Sequence, residues 1–495
     1  MGVATWLSTV LAAAVVAEHR DVVALDARHQ VLENFGASDC WTMQKVGAGW
    51  SEAGKTRLAD LLFDRERGIG LSCWRFNLGA GGNRQSIPNP WRTAETFETG
   101  PGTYDWTRQA GERWFLRAAK ARGVPQFLAF ACSPPGRLTR NGLTNGHQTK
   151  GPTNLKPGAE GEFARYLVDI VKHFRDHPDP VQRVAFDYLS PLNEPEWEWN
   201  WGQEGCHSAN DELRAVLVAL HAELARQEVA AQIIAPEAGS LPDMWQTNAG
   251  AARKLGGVYG DYLGALAGDA RVRPTLGGRL AYHSYWSDDP AKALLPHRQR
   301  LRQALDRFPG LRLWQTEYCV MQHKRDLTMA TALDVARVVH LDLTVVGVTA
   351  WQWWLALSPS DYKDGLLFTT WQKPGDEETI LVPKLFWAFG HYSRFVRPGM
   401  VRVELRGDGH GLDGVLGSAW LDPRDGTAVA VYLNRGDQPA RLRVRWQQAG
   451  AEQRRTVTPH LTTDRPGDDL RPGASFAGGE AYELPAKAMV TLVAR

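Results

Sequence analysis

Residues 184–201 read VAFDYLSPLNEPEWEWNW, and the reading of this run decides the fold. It opens rich in apolar and aromatic residues, then passes through Pro191 and Asn193-Glu194-Pro195 into a segment dense in tryptophan. That pattern predicts a buried strand delivering a carboxylate to a rim. Pro195 fixes its own φ and biases the residue before it towards an extended backbone, so the strand is expected to stop with Glu194 at its carboxyl end. Trp197, Trp199 and Trp201 would then offer flat apolar faces and indole donors beside the carboxylate. Such a surface suits a ligand with alternating CH faces and hydroxyls, a sugar. Asn-Glu-Pro alone reads equally as a helix-capping turn with core tryptophans, so a second site has to decide.

Residues 311–321, LRLWQTEYCVM, supply it. A short run with period-two character, Leu311, Leu313 and Gln315, ends in Thr316-Glu317-Tyr318, which puts another carboxylate where a strand should finish. At roughly 40 residues per βα unit, Glu317 lies about three units beyond Glu194, so the two would end strands four and seven of an eight-stranded barrel. Two carboxylates on one barrel rim are the minimal equipment for glycoside hydrolysis: one acid/base, and one nucleophile or base for water.

Composition sets the frame. With 495 residues, 43% of them hydrophobic, the chain has room for one large domain and a smaller one. A formal charge of +2 implies no polyanion partner, so no nucleic acid. Tryptophan, at 20 residues, is several-fold above the usual roughly one per hundred, which points to ring-stacking surfaces beyond the needs of a core. Five cysteines, Cys40, Cys73, Cys132, Cys206 and Cys319, form no C-x-x-C; zinc ribbons and thioredoxin-like chemistry are disfavoured, and most read as buried thiols. Residues 1–17 carry an apolar run of signal-peptide length with Val15-x-Ala17 as a cleavage site. No Lys or Arg lies near Met1, yet a secreted or periplasmic protein is expected, with no membrane span elsewhere.

In chain order, residues 21–32 alternate as a strand pair with a turn near Asp26. Residues 35–41 read as barrel strand one, with Asp39 and Trp41 at its mouth, and 71–78 as strand two, with Arg75 embedded in it. A strand-embedded arginine is a buried ion-pair partner or an orienter of a site carboxylate. Gly79 to Gly82 lacks G-x-x-x-x-G-K-[ST] and reads as an ordinary turn rather than a phosphate loop. Strand three is 126–132, followed by a long polar loop to Pro157. Phe163, Tyr166, Leu167, Ile170, Val171 and Phe174 form one helical face. Strands five (232–238), six (280–286, with His283 and Tyr285) and eight (347–354, with Trp351, Trp353 and Trp354) alternate with helices at 211–230, 298–308 and 329–343. Eight strands alternating with helices predict an α/β chain, a parallel (β/α)8 TIM barrel over residues 34–383. From 384 to 495, after a helical stretch, short alternating runs at 401–405, 415–421, 428–433, 440–446 and 487–493 predict a β-sandwich packed on the barrel without a flexible linker.

These segments carry a resemblance. FGASDCW, LSCWRFNLG, SPLNEPEWEW, LWQTEY, WQWWLALSPSDYKDGLLF and KLFWAFGHYSRFVRPG together resemble glycoside hydrolase family 30, within the clan of retaining (β/α)8 glycosidases. The resemblance spans almost the whole chain and implies that residues 18–33 join the side sandwich. It implies Glu194 as acid/base, Glu317 as nucleophile and Asn193 as a ligand of the sugar 2-hydroxyl. Arg75 and Tyr285 would flank the nucleophile. Asp39, Trp41, His283 and Trp351 would line the subsite of the cleaved bond, with Trp197 on the adjoining wall. No cofactor or metal is expected, and the protein would act on a polysaccharide or oligosaccharide as a monomer. Within the family, the tryptophan-rich segment and the Ser-Pro-Ser-Asp-Tyr-Lys-Asp-Gly run are most similar to endo-β-1,6-galactanases. Xylanases, β-1,6-glucanases, β-fucosidases and β-glucosidases share the framework.

Competing readings stay open at single residues. A lone His283 would more often be a hydrogen-bonded core histidine, and alternation must send some of Trp351, Trp353 and Trp354 into packing, with Trp351 the choice for the site. Glu196, Glu198 and Glu237 are further carboxylates near strand ends. A non-catalytic carbohydrate-binding protein would use the same tryptophans, whereas an esterase would need G-x-S-x-G and a zinc hydrolase H-E-x-x-H, neither of which occurs.

Overall fold

Short, fully buried runs such as Cys73–Asn77 can be satisfied only as parallel strands covered on both faces, and that is how they fold. The computed structural model describes residues 17–83, 86–289 and 291–495. The leader expected at 1–17 lies, but for Ala17, outside the described residues.

Eight barrel positions follow in parallel register: Asn34–Ser38, Cys73–Asn77, Gln126–Phe130, Tyr188–Ser190, a fifth strand in two pieces, Arg279–His283, Arg312–Glu317 and Ala350–Ser358. The fifth strand closes the ring. Its first piece, Gln232–Ile233, pairs with the fourth strand, and its second, Pro236–Ala238, pairs with the sixth. Between them Ile234 donates to the Leu189 carbonyl, while the Ala235 carbonyl accepts from Ala281. The expected continuous strand at 232–238 is therefore corrected to a split one. Pro236, which has no N–H to donate, stands at the break.

The side sandwich begins earlier than its sequence neighbours suggest. Ala17–Val31 is one strand rather than the expected pair with a turn near Asp26, and the irregularity there is a pair of register shifts between Ala24, Arg28 and Val31. It lies between Ala440–Gln448, parallel, and Val401–Arg406, antiparallel. Buried Asp21 locks it in place, accepting from the Tyr432 hydroxyl at 2.8 Å and from His410 Nε2 at 2.9 Å. Thr456–Thr462 adds a strand that sequence reading passed over. Helix Lys384–Ser393 bridges the two units: its buried His391 hydrogen-bonds Thr491 and Thr462 of the sandwich, while Phe389 packs on Phe35 of the first barrel strand. One apolar core runs through both, reaching Trp420 and Met489.

Behind the sixth and eighth strands, Asp342 collects a buried network. It accepts from Arg298 Nε at 2.8 Å, Ser284 Oγ at 2.9 Å, Trp351 Nε1 at 2.9 Å and Tyr282 OH at 3.3 Å. Arg298 and Asp342 are both fully buried, so each needs the other's charge. Asp342→Ala should lower stability by about 3–5 kcal/mol in urea unfolding, because it strands the Arg298 guanidinium. A loss under about 1 kcal/mol would mean that the network does not brace the barrel.

Candidate active site

Glu317 ends the seventh strand as expected, almost wholly buried. Its two oxygens are held separately: Arg75 Nη1 donates to Oε2 at 3.1 Å, and Tyr285 OH donates to Oε1 at 3.0 Å. Arg75 reaches it from the middle of the second strand, its guanidinium 4.2 Å from the Phe130 ring centre, so its direction is fixed by packing as well as by charge.

Glu194 sits differently from the sequence expectation. The fourth strand ends at Ser190, and Glu194 lies in the loop beyond it with φ +43°, not in extended backbone. Tertiary bonds override the proline bias. The Glu194 N–H donates to the Glu237 carbonyl at 2.9 Å, and the Trp199 indole donates to the Glu194 carbonyl at 3.0 Å. Gly239 leaves room for this arrangement, since a Cβ there would stand 2.4 Å from Trp197 Nε1 and 3.0 Å from the Glu194 carboxyl carbon.

His283, at the end of the sixth strand, joins the carboxylates. Its Nδ1 is 2.8 Å from Glu194 Oε1 and 3.8 Å from Glu317 Oε1, and its Nε2 is 3.1 Å from Glu237 Oε2. Burial alone would depress its pKa, but Glu317, Glu194 and Glu237 outweigh that and push it up to about 10. Oxygens of Glu194 and Glu317 and a ring nitrogen of His283 all lie within 4.8 Å of one another, a spacing a metal ion would accept. A charged imidazole offers donors rather than a lone pair, so the trio reads as an ion-paired lattice. Burial, opposed by His283 and aided by the charge of Glu317, raises the pKa of Glu194. Glu237 goes the other way: Arg75, His283 and Thr316 overcome its burial and hold it at about 2.

The cleft above has a volume of about 990 Å³ and includes Glu194, Glu317, Tyr285 and Trp197 in its wall. Trp286 (56% exposed), Trp201 (52%) and Trp197 (40%) present indole surface there. Six sequence-predicted residues stand behind that wall rather than in it: Arg75 and His283, fully buried, hold its carboxylates from behind, so His283 does not line the subsite as expected, and Trp351, Trp41, Asp39 and Asn193 lie further back. Trp351 is corrected: it shares a strand face with Trp353, packs on Phe389 of the helix layer and donates to Asp342, whereas Trp354, of opposite parity, faces the cleft. Trp41 lies edge-on beneath Trp354, ring centres 5.5 Å apart, and supports it. Asp39 is buried, accepts from the Asn77 amide at 2.9 Å, and burial pushes its carboxyl well above the ordinary range. Asn193 is buried, with a side-chain oxygen that has no protein partner.

The sequence that builds this barrel and its side sandwich matches two models of one family. Residues 18–368 match the model for O-glycosyl hydrolase family 30, and residues 399–492 match the glycosyl hydrolase family 30 β-sandwich domain. The chain belongs to glycoside hydrolase family 30. It is an O-glycosyl hydrolase. An endo-β-1,6-galactanase of Hypocrea rufa is 23% identical over 404 residues, 74% of each chain. Among solved structures, a conserved exported protein from Bacteroides fragilis superposes with a TM-score of 0.84 at 28% identity, covering 96% of this chain and 99% of that one. The catalytic domain of the family 30 xylanase C from Talaromyces cellulolyticus does so at 0.71 and 20%, covering 96% and 100%. Among the described residues, no helix is long and apolar enough to cross a membrane.

In this family 30 glycosidase one cleft wall is pinned by Glu204. Its buried carboxyl accepts from the Ala80 amide at 3.0 Å and the Gly82 amide at 2.7 Å, so the glycine-rich turn after the second strand receives an internal carboxylate. Next to it, Gln203 accepts from Arg92 across the cleft edge at 2.9 Å. Burial, only partly offset by the two amides, raises Glu204 to about 7. A folded-state pKa above the unfolded value means that the fold keeps a proton the unfolded chain has lost, so this group's contribution falls as pH rises from about 4.5 through 7. Glu204→Gln should therefore gain stability relative to wild type between pH 5 and 8, by up to about 3 kcal/mol, in paired thermal melts. A pH-independent difference would contradict it.

Proposed function

We propose that this glycosidase hydrolyses a β-linked polysaccharide with retention of configuration, Glu317 acting as nucleophile and Glu194 as acid/base. The observation that carries the reading is the approach of the two carboxylates, with oxygens within 4.8 Å. Retaining enzymes need about 5 Å between the pair, while an inverting mechanism needs roughly 6.5–9.5 Å to admit water between them. Arg75 and Tyr285 hold Glu317 with both oxygens fixed, aimed for attack on an anomeric carbon. Glu194, with its pKa raised by burial, is suited to keep a proton for the leaving oxygen and, once it has given that proton up, to take one from the water that releases the sugar from Glu317.

Within that chemistry the substrate we favour is β-1,6-galactan, cleaved internally. The galactanase relative supports it, and so does a cleft whose exposed indoles, Trp197, Trp201 and Trp286, offer several stacking faces rather than one closed pocket. The likeness to an exported protein supports action outside the cytoplasm.

Wild type and Glu317→Gln should be compared on β-1,6-galactan, xylan, glucuronoxylan and β-1,6-glucan, with products resolved by chromatography and their first-formed anomer read by proton NMR. The expected result is a ladder of β-configured galacto-oligosaccharides from wild type alone. Initial α-anomers would overturn retention, and an active Glu317→Gln would overturn the nucleophile. Because Glu194 must be protonated to act, kcat/KM should fall as pH rises through its raised pKa, placing the basic limb above the ordinary glutamic acid range near 4.5. Trp286→Ala should raise KM about tenfold with kcat nearly unchanged, as expected for the loss of one stacking face. An equal fall in kcat would instead assign the ring to the transition state.

A further inference from the structure

Glu237 was one of several carboxylates the sequence could not rank, and nothing in the reaction described above requires it to touch the sugar. Its position is nevertheless specified from every side. It stands in the second piece of the split fifth strand, fully buried, with φ +60°, a left-handed backbone that a glutamate adopts only where its surroundings impose it. Its Oε2 faces His283 Nε2 at 3.1 Å and accepts from the Thr316 hydroxyl. Its Oε1 faces Arg75 Nη2 at 3.5 Å, and neither of those two atoms has a hydrogen-bond partner of its own. Its backbone carbonyl accepts from the Glu194 amide at 2.9 Å. One residue thus touches the arginine that holds Glu317, the histidine that holds Glu194, and the main chain of Glu194 itself.

We propose that Glu237 is a positioning residue of the active site, a fixed countercharge that aligns Arg75 and His283 and through them orients Glu317 and Glu194. The proposal rests on the acid/base and nucleophile assignment above. Arg75 and His283 bring two positive charges to a site where Glu194 must hold a proton in the resting enzyme. Without Glu237 a single carboxylate would face both cations in a water-poor interior, and the excess positive charge would draw the proton off Glu194. The charged and titratable groups facing Glu194 are His283 from the sixth strand, Tyr285 just beyond it, Glu317 from the seventh, Glu237 from the fifth and Glu196, its carboxyl raised by burial, from its own loop, with Arg75 of the second strand behind Glu317. Of these, Glu237 is bonded to the positioning groups and not to either reacting carboxylate side chain. It can therefore be altered without removing a reacting atom.

The sign of the effect follows. The negative charge of Glu237 raises the pKa of Glu194. Neutralising it lowers that pKa, because Arg75 and His283 then face the reacting carboxylates without it. Glu237→Gln should therefore lower kcat roughly 10²-fold through misalignment. It should also move the basic limb of the kcat/KM profile to lower pH by about one unit. Glu237→Asp, which keeps the charge, should retain the wild-type limb despite a lower kcat. A loss of activity in Glu237→Gln with an unmoved limb would reduce Glu237 to a structural part, and near-wild-type kcat would remove it from the site.

A second measurement needs no variant and no substrate. In wild type labelled with 15N-histidine, one of the 14 imidazoles should still carry both ring protons at about pH 8.5, far above the ordinary histidine range. If all are neutral there, the countercharge proposal fails. A wild type inert on every glycan tested would instead count against the assigned reaction, so the two failures are distinguishable.

Discussion

A lattice of five buried charged or titratable groups, Arg75, Glu237, His283, Glu194 and Glu317, is the constraint on which the rest of this protein depends. Moving one such group out of water costs several kcal/mol even after relaxation, and only well-placed partners offset it. Here every partner comes from a different element: the second, fifth, sixth and seventh strands and the loop after the fourth. No local segment can satisfy its own charge. The lattice therefore forms only when the barrel closes, and closure is made by the split fifth strand that brings Glu237 inward. Fold and site are one problem in this chain, and that is why the ion-paired network around Asp342 and Arg298 lies directly behind the strand that ends in His283.

Strain collects at the same place. Glu194, Trp199, Glu237 and Trp286 all have φ between +43° and +60°, and all four belong to the barrel mouth. Each such residue costs on the order of 1–3 kcal/mol and persists only where surrounding bonds over-determine it. The bonds are visible for Glu194, whose amide donates to the Glu237 carbonyl and whose carbonyl accepts from the Trp199 indole. Holding the carboxylates rigidly before substrate arrives moves the cost of orienting them from the reaction to folding.

Much of this was legible in the residues. Alternation of buried runs with amphipathic helices showed the barrel, and the two glutamates three units apart located its working rim, with Arg75, His283 and Tyr285 around them. What was not legible has physical causes. The bias of a residue before proline is weak, and the bonds to Glu237 and Trp199 overrule it at Glu194. On the eighth strand, tryptophans at 351, 353 and 354 occupy both parities, so the sequence cannot say which face is inward. Register against the first strand and the indole bond to Asp342 decide that. The break of the fifth strand did leave a signal, Pro236 inside an apolar run. Glu237 could be read only as a further carboxylate near a strand end, because its partners at 75, 283 and 316 are distant in sequence.

The lattice also has a charge count that matches the double displacement proposed for it. On that proposal two cations, Arg75 and His283, are balanced by Glu237 and Glu317, while burial favours the protonated form of Glu194. When the nucleophile forms a bond to the sugar it loses its negative charge, and in the same step Glu194 acquires one by giving up its proton. The balance of two against two is preserved. Hydrolysis of the glycosyl-enzyme reverses both changes together. Had the site held one carboxylate fewer, each stage would leave a bare positive charge in a buried volume, where water cannot screen it. Glu237 is the member whose charge never changes, and its place beside both cations makes it the fixed reference against which the two reacting carboxylates exchange roles. Much of the cleft wall, by contrast, comes from loops, so specificity can vary around a lattice that stays constant.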